Sequence, residues 1–147
     1  MNKILYIMQG VPGSGKSCLA RMIQSSYTEA DCVIFSTDEY WSYADQYRFD
    51  ERNLRWAHQW NQRRVAQKML KDLSTDSFII VDNTNILGSE ALPYRMLAEM
   101  FEYTVQVVSV DCGLDEAIRR NAERKEDRQV PEEVIRERYS KMERLMT

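Results

Sequence analysis

Gly10-Val11-Pro12-Gly13-Ser14-Gly15-Lys16-Ser17 fills every fixed position of a phosphate-binding P-loop, G-x-x-x-x-G-K-[ST]. The chemistry of such a loop is the capture of a polyphosphate. Backbone N–H groups wrap the anion, which requires a tight turn free of obstructing side chains, and Gly10, Gly13 and Gly15 supply it. A helix opening near Lys16 adds unpaired N–H groups and the positive end of its dipole. Lys16 is placed to reach the β and γ phosphates and the Ser17 hydroxyl to ligate Mg²⁺, with Pro12 and Ser14 completing the cradle. Cys18 comes next, beside the bound nucleotide, where a helix N-terminus can make a thiol reactive; a small packed side chain is the simpler reading.

Two carboxylates complete what phosphoryl transfer needs. Asp82 closes Phe78-Ile79-Ile80-Val81, the most apolar run, where a P-loop enzyme places the acid that holds Mg²⁺ directly or through water. An Asp that caps a turn is the competing reading. Asp38 lies in Ser36-Thr37-Asp38-Glu39-Tyr40-Trp41, after Cys32-Val33-Ile34-Phe35. Transfer to an alcohol needs a carboxylate within hydrogen-bond reach of the attacking hydroxyl, so Asp38 is the candidate general base, against a capping role in the same segment. Asp111-Cys112-Gly113 follows a further apolar run and brings a third carboxylate to the same edge.

Positive charge gathers in Arg119, Arg120, Arg124, Lys125 and Arg128, just before Pro131. A mobile lid carrying an arginine finger fits this, while ion pairs with Glu116, Glu123 and Glu126 on a solvated helix are the alternative. Another concentration mixes Tyr40, Trp41, Tyr43, Tyr47, Phe49, Trp56 and Trp60 with Arg48, Arg52, Arg55, Arg63 and Arg64. Aromatic faces stack single-stranded bases and arginines hold phosphates, although each ring taken alone is better explained by core packing.

The elements that must position these residues follow from periodicity. Ile4-Leu5-Tyr6-Ile7-Met8 reads as a buried strand before the P-loop, and Leu19, Ala20, Met22 and Ile23 as a helix after it. Residues 51–73 read as a long helix capped by Asp50, with Leu54, Ala57, Val65, Met69 and Leu73 toward the core. Residues 78–81 read as a central strand, 91–102 as a helix with Pro93 in its opening turn, 104–110 as a strand and 114–124 as a helix. The last helix opens at Pro131 and carries Val134, Ile135, Tyr139, Met142 and Met146 on one side. Strands alternating with helices predict a doubly wound α/β fold: a P-loop NTPase three-layer sandwich with a central parallel sheet and a short Arg-rich lid. Ligands of such sheets gather beyond the carboxyl ends of the strands.

The 147 residues, 44% of them hydrophobic, suit a single kinase-sized domain spanning 1–147. No run approaches the roughly 20 apolar residues that cross a bilayer, and the start lacks signal-peptide organisation, which predicts a cytoplasmic protein with no membrane partner. Cys18, Cys32 and Cys112 are odd in number and not in metal-type pairs, so reduced thiols are expected. A net charge of −3 provides no global attraction for nucleic acid, so any such surface is local. An N-K-x-D motif for guanine is absent.

Taken in order, G-x-P-G-S-G-K-S, S-T-D-E-Y, D-N-T-N and R-R-N-A-E-R before V-P resemble the polynucleotide 5′-hydroxyl kinases over essentially the whole chain. The likeness is to the bacteriophage-type kinase domain and to the kinase-like domains of NEDD4-binding proteins, the latter particularly through Phe35–Tyr40 and the segment 58–64. The resemblance implies ATP and Mg²⁺ as cofactors and a polynucleotide 5′-hydroxyl, DNA or RNA, as acceptor. It implies Lys16 and Ser17 as phosphate and metal residues, Asp38 as base, Asp82 as the acid, and Thr84 and Asn85 as acceptor-side residues across a one-residue offset. Arg124 matches the lid arginine on the transferring group, Arg120 the arginine one turn before it, and Arg128 is the alternative finger in a lid one residue longer. Trp41 stands where the phage kinase has an arginine that grips the acceptor's 3′-phosphate, and a stacking platform is the reading this substitution suggests. A small-molecule kinase acting on a nucleoside, sugar or modified base, and a non-catalytic ATP-binding module, are the competing functions.

Overall fold

The computed structural model describes residues 1–28, 31–42, 51–86 and 88–146. Four strands, β1 (Lys3–Gln9), β2 (Cys32–Phe35), β3 (Ser77–Asp82) and β4 (Thr104–Ser109), form one parallel sheet in the order β2-β3-β1-β4. Among the described residues five α-helices connect and cover them: α1 (Lys16–Ser25), α2 (Leu54–Lys71), α3 (Gly88–Phe101), α4 (Leu114–Ala122) and α5 (Glu132–Met146). The α/β P-loop NTPase fold expected from the alternation of elements is the fold observed.

Both faces of the two central strands are buried, which is why they read as unbroken apolar runs. Leu5 and Ile7 of β1 meet Ile79 and Val81 of β3 on one face, against Val65 and Met69 of α2 and Tyr94 and Ala98 of α3. Met8, Phe78 and Ile80 point the other way and pack on Ala20 of α1. Each fully buried Leu, Ile or Met contributes about 1.5–3 kcal/mol. A third cluster, Val11, Ile86, Ala117, Ile135 and Met142, binds the P-loop to α4 and α5. The loop and the helices beyond the sheet therefore share a core.

Some elements differ from the sequence reading. Helix α3 opens at Gly88, so Pro93 lies in its second turn, where it lacks the N–H that would bond the Ser89 carbonyl and its ring crowds that carbonyl. Helix α2 stops at Lys71, with Asp72 as its C-cap, the Asp72 carboxylate paired with Lys68 Nζ at 3.0 Å and accepting from Ser77 Oγ at 2.8 Å. Leu73 is consequently 53% exposed rather than in the core. Helix α4 ends at Ala122, two residues early, and α5 starts after Pro131, whose carbonyl accepts its first bonds. Asp50, Tyr43, Tyr47, Arg48 and Phe49, and the side chain of Met146, lie outside the described residues. Among the described residues no helix is long and apolar enough to cross a membrane.

Candidate active site

β1 delivers the chain into the P-loop, and two glycines there have no substitute. Gly13 has φ 84°, and a Cβ on it would sit 2.4 Å from the Ala117 carbonyl of α4. Gly15 caps α1 with φ 99° beside Arg120. The first turn of α1 holds no acidic residue, so nothing offsets the positive end of its dipole. Lys16 Nζ lies 4.0 Å from Asp82 Oδ1, with the side chains only 13% and 8% exposed. Burial pulls the Lys16 ammonium below its ordinary pKa, Asp82 and Asp38 counter this, and Arg124 adds to it.

Ser17 Oγ donates to Asp82 Oδ2 at 2.7 Å, while buried Asp82 Oδ1 accepts no hydrogen bond. A hydroxyl and a carboxylate with an unused oxygen suit Mg²⁺, which takes one or two protein oxygens and fills its octahedron with phosphate and water. Among the described residues there is no cluster of three or more His, Cys, Asp or Glu for a fully protein-ligated metal.

Opposite the loop, Asp38 rides on a 3₁₀ turn, Thr37–Tyr40, that its neighbours hold from several sides. Ser36 and Glu39 form a reciprocal capping box, with Ser36 N–H donating to Glu39 at 3.0 Å. Thr37 N–H donates to Asn83 Oδ1 at 3.0 Å, joining the tips of β2 and β3. The second Glu39 oxygen accepts from Arg64 at 3.3 Å, and the Arg64 guanidinium lies 4.3 Å from the Trp60 ring centre and 4.9 Å from that of Phe35. Tyr40 packs edge-on against both Trp41 and Trp60. Asp38 is thus an exposed carboxylate on a clamped turn.

These walls enclose one cleft of about 640 Å³. Pro12, Gly13, Gly15, Lys16, Ser17, Cys18, Asp38, Trp41, Asp82, Thr84, Arg120, Arg124 and Arg128 all line it. Gly10, Ser14 and Asn85 do not: Gly10 N–H bonds the Thr84 carbonyl at 3.0 Å, Ser14 is buried behind the loop, and Asn85, at φ 49°, turns inward to donate to the Met8 carbonyl at 2.8 Å. Asp111 folds back on Gly113 N–H at 2.9 Å and does not reach the cleft. Cys18 is exposed rather than packed. Trp41 is only 7% exposed, so it presents an edge of the wall and not a free platform.

Arg120 donates to the Ser14 carbonyl at 3.2 Å and to Glu116 at 3.0 Å, pinning α4 to the P-loop. Beyond α4 the lid is tied down by Asn121, which exchanges two hydrogen bonds with Val130, and by Gln129, which donates to the Arg124 carbonyl at 3.0 Å. The lid's arginines therefore project from an ordered turn.

The sequence reading missed His58, Asn83, Glu90 and Arg138, which also line the cleft. Glu90 accepts from Thr84 Oγ1 at 3.0 Å and from Arg138 at 2.5 Å. Burial lowers the His58 pKa, with Arg138 acting in the same direction and Glu90 and Asp38 opposing, so the imidazole is neutral near pH 7. Asn83 sat within the quoted D-N-T-N motif and His58 opened the segment 58–64 quoted for the resemblance; Glu90 and Arg138 carry no local signal, because packing alone brings them together.

Comparison with known proteins agrees with this geometry. The AAA domain family, AAA_33, matches residues 5–147. Human NEDD4-binding protein 2 is 42% identical over 102 residues, which are 69% of this chain and 6% of that protein. The chain thus spans a small fraction of the relative it matches. Among solved structures, the Pnkp1/Rnl/Hen1 RNA repair complex aligns with TM-score 0.72 at 18% identity, covering 99% of this chain and 46% of the matched one. Chaetomium thermophilum Kti12 in complex with ADP-AlF3 aligns with TM-score 0.67 at 16% identity, covering 93% and 79%. Identities this low speak for the fold, an α/β P-loop domain, and for nothing finer. Since the family match runs without a break from β1 through the lid to the end of α5, the chain belongs to the AAA domain family.

Proposed function

We propose that this domain is an ATP-dependent kinase that transfers the γ-phosphoryl group to the 5′-hydroxyl of a polynucleotide, DNA or RNA. The observation that carries the proposal is a single cleft lined by both Lys16 of the P-loop and Asp38 on its clamped turn, close enough for Asp38 to bear on the Lys16 ammonium. A phosphate donor and a hydroxyl acceptor then meet in one space.

In this mechanism the P-loop N–H groups and Lys16 hold the β and γ phosphates, and Arg124 or Arg128 reaches the transferring group from the lid. The acceptor hydroxyl gives its proton to Asp38 as its oxygen bonds to the γ phosphorus. The bond from that phosphorus to the β,γ-bridging oxygen breaks, and ADP leaves. Ser17 and Asp82 would hold Mg²⁺, which, when bound, neutralises charge on the phosphates. Neutral His58, Thr84 and Trp41 shape the acceptor side, and the surrounding apolar residues Leu54 and Val134 limit water. Cys18 lies beside the nucleotide without a chemical role in the step.

A second reading has its own support. The cleft volume, about 640 Å³, lies within the range that encloses small ligands, and inward-packed Trp41 supplies no cation for an acceptor phosphate, both of which suit a nucleoside, sugar or modified base. The deciding experiment follows label from γ-labelled ATP to 5′-hydroxyl oligonucleotides and to a nucleoside panel, with Asp38→Asn alongside. Label on oligonucleotides that Asp38→Asn abolishes is the expected result. Label only on nucleosides would establish the second reading, and nucleotide binding with no transfer would leave a binding module.

A further inference from the structure

Among the described residues, arginine and aromatic side chains of the cluster between residues 40 and 64 fall into two sets in the fold. Arg64, Trp60, Tyr40 and Trp41 face inward and brace the turn of Asp38. Arg55, Trp56 and Arg63 face outward on α2. Trp56 is 57% exposed and is the sole aromatic among the large exposed apolar side chains of the described residues. Arg55 and Arg63 lie on one ridge two turns apart, about 12 Å along the helix, and Trp56 sits beside that ridge with the Arg55 guanidinium 6.0 Å from its ring centre.

The charge of α2 sets it apart. Its eighteen residues include five cations and no Asp or Glu, in a chain whose net charge is −3. On α4 and α5, by contrast, Arg119, Arg120, Arg136 and Lys141 are each paired with a glutamate on the same helix. Arg64 and Lys68 of α2 are paired, with Glu39 and Asp72, whereas Arg55 and Arg63 form no ion pair among the described residues. The same helix lines the cleft through Leu54 and His58, so this cationic face begins at the acceptor end of the site.

We propose that the outer face of α2, built from Arg55, Trp56 and Arg63, is a track for the single strand that continues from the accepting 5′ nucleotide. The arginines neutralise separate phosphates along the strand and Trp56 stacks an unpaired base, with the Arg55 cation 6.0 Å from its ring centre. This inference rests on the polynucleotide reading of the cleft. It goes further by naming a second contact zone and predicting that affinity grows with strand length.

The test measures anisotropy of labelled single-stranded 5′-hydroxyl oligonucleotides, a dinucleotide and a dodecanucleotide, on the intact chain across a salt series. The dodecanucleotide binds at least about tenfold tighter than the dinucleotide. An Arg55→Ala/Arg63→Ala double variant loses that gain and flattens the salt slope by about 1.4, while Trp56→Ala weakens the longer strand by roughly five- to tenfold. Dinucleotide binding stays unchanged in each, and Arg55→Lys/Arg63→Lys retains the salt slope, which separates lost charge from a damaged helix. A wild type that binds both lengths alike, or variants that bind the dodecanucleotide normally or lose both lengths equally, would overturn the track. Phosphoryl transfer to the dinucleotide is followed separately: transfer without a gain from length rejects the track alone, and a gain from length without transfer rejects the kinase reading alone.

Discussion

The two walls of the cleft are built on different principles. The wall proposed for phosphate centres on one unbroken stretch of chain, the eight-residue P-loop, whose backbone N–H groups are the proposed ligands and which Gly13 and Gly15 hold close to α4. The acceptor wall is assembled from separate segments, with Asp38 from the turn after β2, His58 from α2, Thr84 after β3, Glu90 from α3 and Arg138 from α5. Local sequence therefore determines the first wall, and tertiary packing determines the second. A P-loop transfers readily between proteins as a unit, whereas an acceptor wall of this kind can be retuned one side chain at a time.

If the walls have separate tasks, substitutions should separate donor binding from transfer. The largest effects are expected at their centres. Lys16→Met should reduce transfer by about 10³-fold or more and weaken ATP binding, whereas Asp38→Asn should reduce kcat by about 10²–10⁴-fold with the ATP Kd unchanged. Equal losses of ATP affinity in both variants would break the division. Arg64→Met should come next. By freeing the turn it should lower kcat roughly ten- to a hundredfold while leaving the KM for ATP in place, and Arg64→Lys should restore only part, because an ammonium cannot fill the gap between Phe35 and Trp60 as a planar fork does.

A smaller effect tests the backbone wall. Gly13→Ala drives a methyl onto the Ala117 carbonyl at a positive φ, and should cost about 1–3 kcal/mol of stability, read as a lower Tm, together with loss of nucleotide binding. The smallest concerns pH. His58 is lowered from 6.5, first by burial, so the unfolded chain takes up its proton more readily than the folded one. Its contribution to stability is fully present above pH 6.5 and is lost as pH falls toward the lowered folded value. His58→Gln should therefore flatten the decline of Tm on acidification, and a variant that declines as steeply as the wild type would remove His58 from that account.

The same contrast explains what could be read from the sequence. The P-loop and the strands were legible because their signals are contiguous, and Asp38 and Asp82 because each follows an apolar run at a strand tip. Glu90 and Arg138 meet across 48 residues of sequence, and no spacing rule anticipates that pair. Nor could the arginine cluster be sorted, since Arg63 and Arg64 are adjacent in sequence, yet only the second turns inward to Glu39. Asn85 was grouped with Thr84 by motif order, but its left-handed backbone sends the side chain to the Met8 carbonyl instead of the cleft. Leu73 was placed in the core by periodicity, which runs past the point where Asp72 ends the helix.

Asp82 and Asn83 are consecutive, yet the first holds Lys16 and Ser17 and the second holds the N–H of Thr37, next to Asp38. One peptide unit thus joins the residue that holds the P-loop to the residue that holds the turn of Asp38. In the proposed transfer, donor and acceptor are both positioned from the same end of β3.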